Sequence, residues 1–349
     1  MKMDLSKTAA YDYELPKELI AQEPAEPRDS SRLLVVHRES GWSEDRIFRD
    51  IAEYLRAGDL LVLNDTRVLP ARVEGIKKGG GGAKVEIFFL NPGDTPRQWN
   101  ALVRPGRKLP EGTRVALDER NEVTVGARLE DGLRTIIFAP ESDPFELIHR
   151  FGETPLPHYI TNTHADPERY QTVYARREKE NSVAAPTAGL HFTPELLKKL
   201  DEKGARRAFV TLQVGLGTFR PVKAENIRDH IMHREICEIP PETAALINET
   251  KKEKGRVVAV GTTVVRTLES FAAQYGGIIP GSLATRLFIS PGYKFQVTDA
   301  LITNFHLPMS TLLMLVSAFG GYETMMRIYK EAVEKRYRFF SFGDSMFIE

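Results

Sequence analysis

The chain has 349 residues, which at about 150 residues per domain suggests two domains and allows a sizeable hydrophobic core. Its 48 Lys and Arg residues balance its 48 Asp and Glu residues, so the formal net charge is zero. That balance excludes a globally basic protein that coats nucleic acid and an acidic tail protein, although it allows a local basic patch.

The single cysteine, Cys237, excludes an internal disulfide and a metal site built from several cysteines. The N-terminal residues lack the apolar run of a signal peptide, and the most apolar stretch, 311–319, is far shorter than the roughly 20 residues that span a bilayer. We therefore expect a soluble protein of the cytoplasm that does not enter a membrane.

The first 70 residues predict the start of an α/β domain. They read as an extended arm with prolines, a strand at 33–36, a helix around 47–55 and a buried strand at 60–63. Asp65 and Arg67 follow that second strand, and ligands bind at the carboxyl ends of strands in open α/β sheets. Asp65 could hold a sugar hydroxyl or act as a base, and Arg67 could bind a phosphate. An ordinary turn, in which Asp65 caps the backbone and Arg67 pairs locally, fits the sequence equally well.

The character of the chain changes over residues 71–144. Short strands separated by glycine and proline turns are predicted at 84–90, 99–103, 113–117, 122–127 and 133–138. Strands at this spacing predict an antiparallel β-barrel or sandwich. We therefore expect an inserted β-barrel domain at 71–144 within a discontinuous α/β domain built from 1–70 and 145–349.

Strand, glycine turn and helix alternate again after residue 144, which predicts a mixed, mostly parallel sheet with flanking helices. The predicted elements are a helix from Pro194 behind the N-cap Thr193, a strand at 207–214, a strand at 257–260 followed by a helix, a helix capped by Ser310, a helix at 322–337 and a closing strand within 339–348. The expected fold class is thus an α/β main domain with an inserted antiparallel β-barrel.

Four runs near strand or helix ends carry the small or polar residues that a ligand site needs. Residues 185–192 form a small-residue loop whose histidine suits acid–base chemistry, although a structural histidine in a turn is the more frequent case. Residues 215–218 lack the third glycine of a dinucleotide fingerprint and are a weak nucleotide motif. At 261–263 a strand ends and a helix begins, which favours an anion. Asn304 and His306 alternate onto one face before another helix.

Titratable residues cluster at 229–235, where His230, His233 and Glu235 lie close together in sequence. Their spacing differs from that of zincin metal ligands, so a hydrogen-bonded or proton-transferring cluster is predicted rather than a metal site. Alternation places His233 and Glu235 on one face of an expected strand. There the carboxylate could orient the imidazole.

Longer strings resemble one protein family from end to end. They lie at 11–16, 63–72, 184–192, 214–219, 230–235, 260–266, 303–308 and 337–340. In this order they resemble the S-adenosylmethionine:tRNA ribosyltransferase-isomerases of queuosine biosynthesis. One departure is Gln213, where that family often has a histidine, and no role is assigned to it.

The resemblance implies an α/β domain with a separate β-barrel domain and an unusual use of S-adenosylmethionine (AdoMet). AdoMet is consumed as a ribosyl donor, and no metal is required. The acceptor is 7-aminomethyl-7-deazaguanine at the wobble position of tRNA, and the products are epoxyqueuosine-tRNA, adenine and methionine. The sulfonium acidifies the ribose C5′ proton, so a general base is needed. A wobble base in a single-stranded loop can enter a pocket at modest cost.

Within this reaction, our hypothesis for acid–base chemistry is His233 oriented by Glu235, with His191 as the second choice and Asp65 as a group that binds ribose hydroxyls. The residues expected to hold AdoMet are Thr187, Gly189, Gly215, Gly217, Thr218, Gly261, Thr262, Thr263, Asn304 and His306. Those expected to contact RNA phosphates are Arg67, Arg104, Arg107, Lys108 and Arg266.

Two other functions deserve comparison. An AdoMet-dependent tRNA methyltransferase would share the substrate AdoMet, but the glycine fingerprint expected after its first strand is missing. A non-catalytic tRNA-binding protein, with the β domain as reader, would bind tRNA without consuming AdoMet. Polar runs at several strand ends favour an enzyme, and we expect a monomer. Zero net charge is compatible with a tRNA substrate that is released after each turnover.

Overall fold

The computed structural model describes residues 3–79, 81–215, 222 and 224–349 of the chain. Its strands are β1 (Arg32–His37), β2 (Trp42–Ile47), β3 (Leu60–Asn64), β4 (Arg67–Val68), β5 (Arg72–Lys77), β6 (Lys84–Pro92), β7 (Gln98–Arg104), β8 (Thr113–Ala116), β9 (Glu122–Arg128), β10 (Arg134–Phe138), β11 (Gly152–Glu153), β12 (Glu180–Ser182), β13 (Arg206–Leu212), β14 (Glu235–Ile239), β15 (Val257–Val260), β16 (Gly281–Thr285), β17 (Ala300–Asn304) and β18 (Ser345–Ile348).

Its α-helices are α1 (Ile51–Tyr54), α2 (Pro144–Phe151), α3 (Pro194–Glu202), α4 (Pro241–Lys252), α5 (Thr262–Tyr275), α6 (Thr311–Gly320) and α7 (Tyr322–Glu334). A 3-10 helix, Thr187–His191, precedes α3. Over the part of the chain that the structure describes, none of the helices has the length and apolar character needed to cross a membrane.

The chain forms two compact units. The first comprises Met1–Thr66, Pro157–Lys179 and Ala185–Glu349, and the second comprises Arg67–Leu156 and Glu180–Ala184. The domain bounds expected from the sequence, 1–70, 71–144 and 145–349, stay a prediction.

The first unit is built on a mixed sheet with the strand order β16-β14-β13-β3-β15-β17-β18-β1-β2. Its central strands β13, β3, β15 and β17 run parallel to one another. Strands β3, β15 and β17 are buried throughout and mostly apolar, whereas β13 begins with the half-buried Arg206 and Arg207. Leu61 and Leu63 of β3 pack in one core with Leu196 and Leu200 of α3. Helices α4 and α5 also contact β3 and β13.

The second unit is a closed antiparallel barrel. Strands β5, β6, β7, β10, β9 and β8 pair in that order, and β8 pairs back onto β5. Apolar residues alternate along β6, where Val85, Ile87 and Phe89 are buried. At the closing seam a Cβ on Gly75 would lie 2.6 Å from Val115 Cγ1, so only glycine fits there. The expected fold class, an α/β domain with an antiparallel β-barrel, is confirmed.

Most predicted elements are confirmed, and three are wrong in part. The helix expected around 47–55 is shorter, because β2 extends to Ile47 and α1 covers only Ile51–Tyr54. The strand expected over 231–235 begins only at Glu235. The N-terminal arm is not simply extended, since it contains the 3-10 helices Thr8–Tyr11, Lys17–Leu19 and Arg28–Ser30.

Candidate functional site

A cavity lies at the carboxyl edge of the parallel strands in the first unit. Because β13, β15 and β17 point the same way, the segments that follow them meet at one edge, where α/β sheets bind ligands. The cavity and the open space at its mouth together amount to about 830 Å³. It is lined by Tyr159, Ala185, Pro186, Thr187, Ala188, Val214, Gly261, Thr262, Thr263, Thr303, Asn304, Phe305, His306, Leu307, Pro308, Ser310, Leu312, Phe340 and Ser341.

The structure brings together most of the residues that the sequence suggested for AdoMet. Those on the cavity wall are Thr187, Gly261, Thr262, Thr263, Asn304 and His306. Gly215 follows the lining residue Val214 directly. Gly189 is a packing glycine, since a Cβ there would lie 2.0 Å from the Tyr174 hydroxyl oxygen. Gly217 and Thr218 lie outside the described residues.

Asn304 ends β17 and is 3% exposed. Its Nδ2 lies 3.1 Å from the carbonyl oxygen of Phe340 and 3.1 Å from His191 Nε2. A carbonyl oxygen only accepts, so the atom facing Phe340 is the amide nitrogen. Asn304 Oδ1 is buried and has no hydrogen-bond partner among the described residues. A buried acceptor without a partner is costly, so a ligand that donates to it gains affinity.

His191 is buried behind Asn304, and both of its ring nitrogens have partners. Since Asn304 Nδ2 donates to Nε2, the proton sits on Nδ1, which donates to Ser31 Oγ at 2.7 Å. Burial lowers the pKa of His191 to about 4, which keeps the ring neutral at physiological pH. The ring also stacks on Phe48, with ring centroids 4.9 Å apart. His191 therefore positions the Asn304 amide.

His306 lies on the cavity wall and is held by β17 and α7. Its Nδ1 is 3.2 Å from the Tyr329 hydroxyl, and its Nε2 is 3.4 Å from Thr303 Oγ1. Burial lowers the pKa of His306 to about 3, so this imidazole is also neutral. A neutral ring in this position offers a polar edge to a ligand without adding charge.

The N-terminus of α5 opens on the same cavity. Gly261 begins the helix with φ 95°, a conformation that favours glycine, and no side chain of the described residues caps this end. Helix N-terminal N–H groups and the helix dipole attract anions. Thr262 and Thr263 also line the cavity, so hydroxyls accompany these backbone donors.

Asn64 is the last residue of β3, and Asp65 follows it. Asn64 Oδ1 accepts from the backbone N–H groups of Thr66 and Leu212, so it holds the edges of β3 and β13 together. Asp65 is buried and accepts from Thr211 Oγ1 at 2.7 Å, and its Oδ2 is 3.4 Å from Arg176 Nε. Burial raises the pKa of the Asp65 carboxyl above its ordinary value, against the Thr211 and Arg176 contacts. Asp65 is not among the lining residues of the cavity.

Glu235 and Arg266 form a buried ion pair next to the cavity wall. Arg266 Nη1 donates to Glu235 Oε2, and Glu235 Oε1 accepts from the backbone N–H of Gly215 at 3.3 Å. Both side chains are nearly inaccessible, at 7% and 5% exposure. The pair therefore links β14 and α5 to Gly215, which directly follows the cavity residue Val214. His233 precedes Glu235 by two residues and is half-buried.

The residues suggested for RNA phosphates have different surroundings. Arg266 is engaged by Glu235, as described above. In the second unit, Arg67 Nε lies 3.5 Å from Glu180 Oε1. Arg104, Arg107 and Lys108 are exposed on the barrel, and the Arg104 side chain is 80% exposed. The barrel cluster is thus the set most accessible to a large ligand.

Sequence reasoning missed two aromatic residues on the cavity wall, Tyr159 and Phe340. Their ring centroids are 4.4 Å apart, and the Tyr159 hydroxyl lies 2.6 Å from Ser341 Oγ. Phe340 has φ 73°, which is rare for a bulky residue. In the sequence, residues 337–340 stand out only as a segment that resembles the family. Nothing in their spacing indicates that Phe340 faces a cavity.

Among the described residues, no group of three or more His, Cys, Asp and Glu side chains could hold a metal ion. The expectation that no metal is required stays a prediction.

Comparison with known proteins gives consistent results. The model of the queuosine biosynthesis protein family matches residues 8–348. The chain is 54% identical over 342 residues to the S-adenosylmethionine:tRNA ribosyltransferase-isomerase of Moorella thermoacetica, covering 97% of this chain and 98% of that protein. It is 55% identical over 339 residues to the protein of the same name from Symbiobacterium thermophilum, with 97% and 98% coverage. A crystal structure of S-adenosylmethionine tRNA ribosyltransferase from Thermotoga maritima matches with a TM-score of 0.56 and 44% identity, covering 97% of this chain and 100% of that chain.

Proposed function

The chain belongs to the family of queuosine biosynthesis proteins, and from this premise we infer that it is an S-adenosylmethionine:tRNA ribosyltransferase-isomerase. In the proposed reaction the ribosyl group of AdoMet is transferred to 7-aminomethyl-7-deazaguanine at the wobble position of tRNA and isomerised. The products are epoxyqueuosine-tRNA, adenine and methionine. AdoMet is therefore a substrate that each turnover consumes.

We propose that the cavity at the carboxyl edge of β13, β15 and β17 binds AdoMet. Two observations carry this proposal. In the described part of the chain, Asn304 Oδ1 has no hydrogen-bond partner and no side chain caps the N-terminus of α5, and Asn304 and the first residues of α5 line one cavity. AdoMet has amine and hydroxyl donors for the first group and a carboxylate for the second. Apolar residues such as Ala185, Val214 and Leu312 line much of the rest, which suits burial of the adenosyl group.

For proton transfer we propose His233, with Glu235 as the residue that fixes its segment. The Glu235 carboxylate accepts hydrogen bonds from Arg266 and from the backbone of Gly215, so the segment that carries His233 is fixed two residues away. An imidazole can accept the ribose C5′ proton and return it later. His191 is the second candidate, and its ring nitrogens already bond Ser31 and Asn304. Asp65 stays the candidate for ribose hydroxyls.

For tRNA we propose the exposed cations Arg104, Arg107 and Lys108 of the barrel as phosphate contacts. We also propose Arg67 as a phosphate contact. Arg266 is better explained by its ion pair with Glu235. We propose that the enzyme works in the cytoplasm, because its substrate is tRNA, and that it works as a monomer.

The function is tested with AdoMet that carries one label in the ribose and another in the methyl group. The enzyme is incubated with tRNA bearing 7-aminomethyl-7-deazaguanine, and tRNA bearing guanine at that position is the control. Ribosyl label in the modified tRNA, with one adenine released per label, supports the proposal. Methyl label in tRNA would indicate a methyltransferase, and tRNA binding without AdoMet consumption would indicate a non-catalytic binder.

A further inference from the structure

Phe340 adopts an unusual backbone conformation that the surrounding residues hold in place. Its φ is 73°, in the left-handed region that bulky residues avoid. Its N–H donates to the carbonyl of Phe305 at 3.1 Å, and its own carbonyl accepts from Gly343 at 2.9 Å as well as from Asn304. Unfavourable backbone conformations that persist in this way concentrate at ligand sites.

The orientation of the Asn304 amide is fixed from two sides. The Phe340 carbonyl and the unprotonated Nε2 of His191 both require a donor, and Nδ2 supplies both hydrogens. The amide therefore cannot rotate to exchange its oxygen and nitrogen without losing the bond to the Phe340 carbonyl and shifting the His191 proton to Nε2. Asn304 lines the cavity, and the one atom of its amide that has no partner among the described residues is the acceptor Oδ1.

Asn304 shares the cavity wall with two aromatic rings. Asn304 bonds the backbone of Phe340, and the Phe340 and Tyr159 rings, with centroids 4.4 Å apart, line the same cavity. Aromatic faces stack on nucleobases, whereas ribose hydroxyls gain little from them. The anion-attracting N-terminus of α5 belongs to a different element of the wall, so a purine and a carboxylate have separate places.

We propose that Asn304 Oδ1 selects adenine by accepting a hydrogen bond from the 6-amino group of a purine stacked beside Phe340. The methionine carboxylate then binds at the N-terminus of α5. This assignment rests on the proposed function, since it takes AdoMet as the ligand. A 6-oxo purine would place an acceptor against Oδ1, and the locked amide could not rotate to offer a donor. The site is thus specific for adenosyl over inosyl compounds.

The test compares binding of two unreactive probes, S-adenosylhomocysteine and its 6-oxo analogue S-inosylhomocysteine, by titration calorimetry. The wild-type enzyme is expected to bind the 6-oxo probe at least about tenfold more weakly, because two acceptors meet where one hydrogen bond formed. Asn304→Ala should bring the ratio of the two dissociation constants close to one. His164→Gln, at an exposed side chain that does not line the cavity, is the control and should keep the wild-type ratio.

Equal binding of both probes to the wild-type enzyme, or a preference that survives Asn304→Ala, would overturn the inference. The wild-type comparison needs no variant, so it decides even if Asn304→Ala does not fold. Failure of the proposed function has a different signature: neither probe binds, and no ribosyl label enters tRNA.

Discussion

Asn304 donates a hydrogen bond from Nδ2 to the carbonyl oxygen of Phe340, 3.1 Å away and 36 positions later in the chain. This bond ties the carboxyl end of β17 to the segment just before β18. It also sets the direction of the only unpartnered atom of the Asn304 side chain among the described residues, Oδ1. The proposed AdoMet site therefore depends on a contact between two segments that are distant in sequence.

The conformation of Phe340 predicts an unusual order of stability between two variants. Phe340→Ala and Phe340→Gly both remove the ring, but only glycine adopts φ near 73° without steric strain. We expect the glycine variant to be more stable by about 0.5–1 kcal/mol in urea unfolding, and both to bind S-adenosylhomocysteine more weakly than wild type. An alanine variant as stable as the glycine variant would show that the backbone conformation at position 340 causes no steric strain.

The buried pair of Glu235 and Arg266 predicts strong coupling in a double-mutant cycle. Glu235→Leu leaves the Arg266 charge buried without its partner, which typically costs about 3–5 kcal/mol. Arg266→Leu should cost a similar amount, and the double variant should lose clearly less than the sum. Urea unfolding measures all four proteins. Additive losses would show that the two side chains do not stabilise each other.

The low pKa values of two buried histidines predict a loss of stability in mild acid. His191 and His306 have folded pKa values of about 4 and about 3, below the unfolded value of about 6.5. The unfolded chain therefore binds protons first as the pH falls. The contribution of the two neutral histidines to the free energy of unfolding is complete above about pH 6.5. Below that pH it declines by about 1.4 kcal/mol per pH unit for each histidine, until the pH reaches the folded pKa.

This pH effect is measured by urea unfolding of wild type and His191→Gln at pH 7 and pH 5. The destabilisation caused by the substitution should be smaller at pH 5 by about 2 kcal/mol, because the variant lacks this proton uptake. Leu200→Ala, a core substitution that removes no titrating group, is the control and should destabilise the protein equally at both pH values. The same destabilisation by His191→Gln at both pH values would mean that His191 is not held neutral by the fold.

The proposed proton-transfer role predicts a kinetic effect of His233→Gln without a binding effect. Turnover at saturating AdoMet should fall by about a hundredfold or more, the usual contribution of acid–base catalysis. Affinity for S-adenosylhomocysteine should stay within a few-fold of wild type. His230→Gln is the nearby control and should change turnover little. Unchanged turnover in His233→Gln would show that the assignment is wrong.

The architecture could be predicted from sequence because its signals are local. The barrel strands, the parallel strands β3 and β15, and the caps Thr193 and Ser310 all follow from turn residues and apolar runs. The helix expected around residue 47 was wrong because pairing with β1 recruited Ile47 into β2. Tertiary pairing overrides helical spacing when a neighbouring strand is available.

The site was only partly predictable from sequence. Gly261, Asn304 and His306 were found because polar or glycine residues follow apolar strands, and parallel strands bring such ends together. Phe340 and Tyr159 were missed because aromatic residues in loops usually belong to the core. Arg266 looks like a phosphate contact in sequence, and only the packing reveals Glu235 as its partner.

The most direct test of the account is a crystal structure of the enzyme with S-adenosylhomocysteine. The account predicts the ligand in the cavity at the carboxyl edge of β13, β15 and β17, with its adenine amine in hydrogen-bond contact with Asn304 Oδ1. Its carboxylate is predicted at the backbone N–H groups of Thr262 and Thr263. A ligand bound outside this cavity would contradict the central claim.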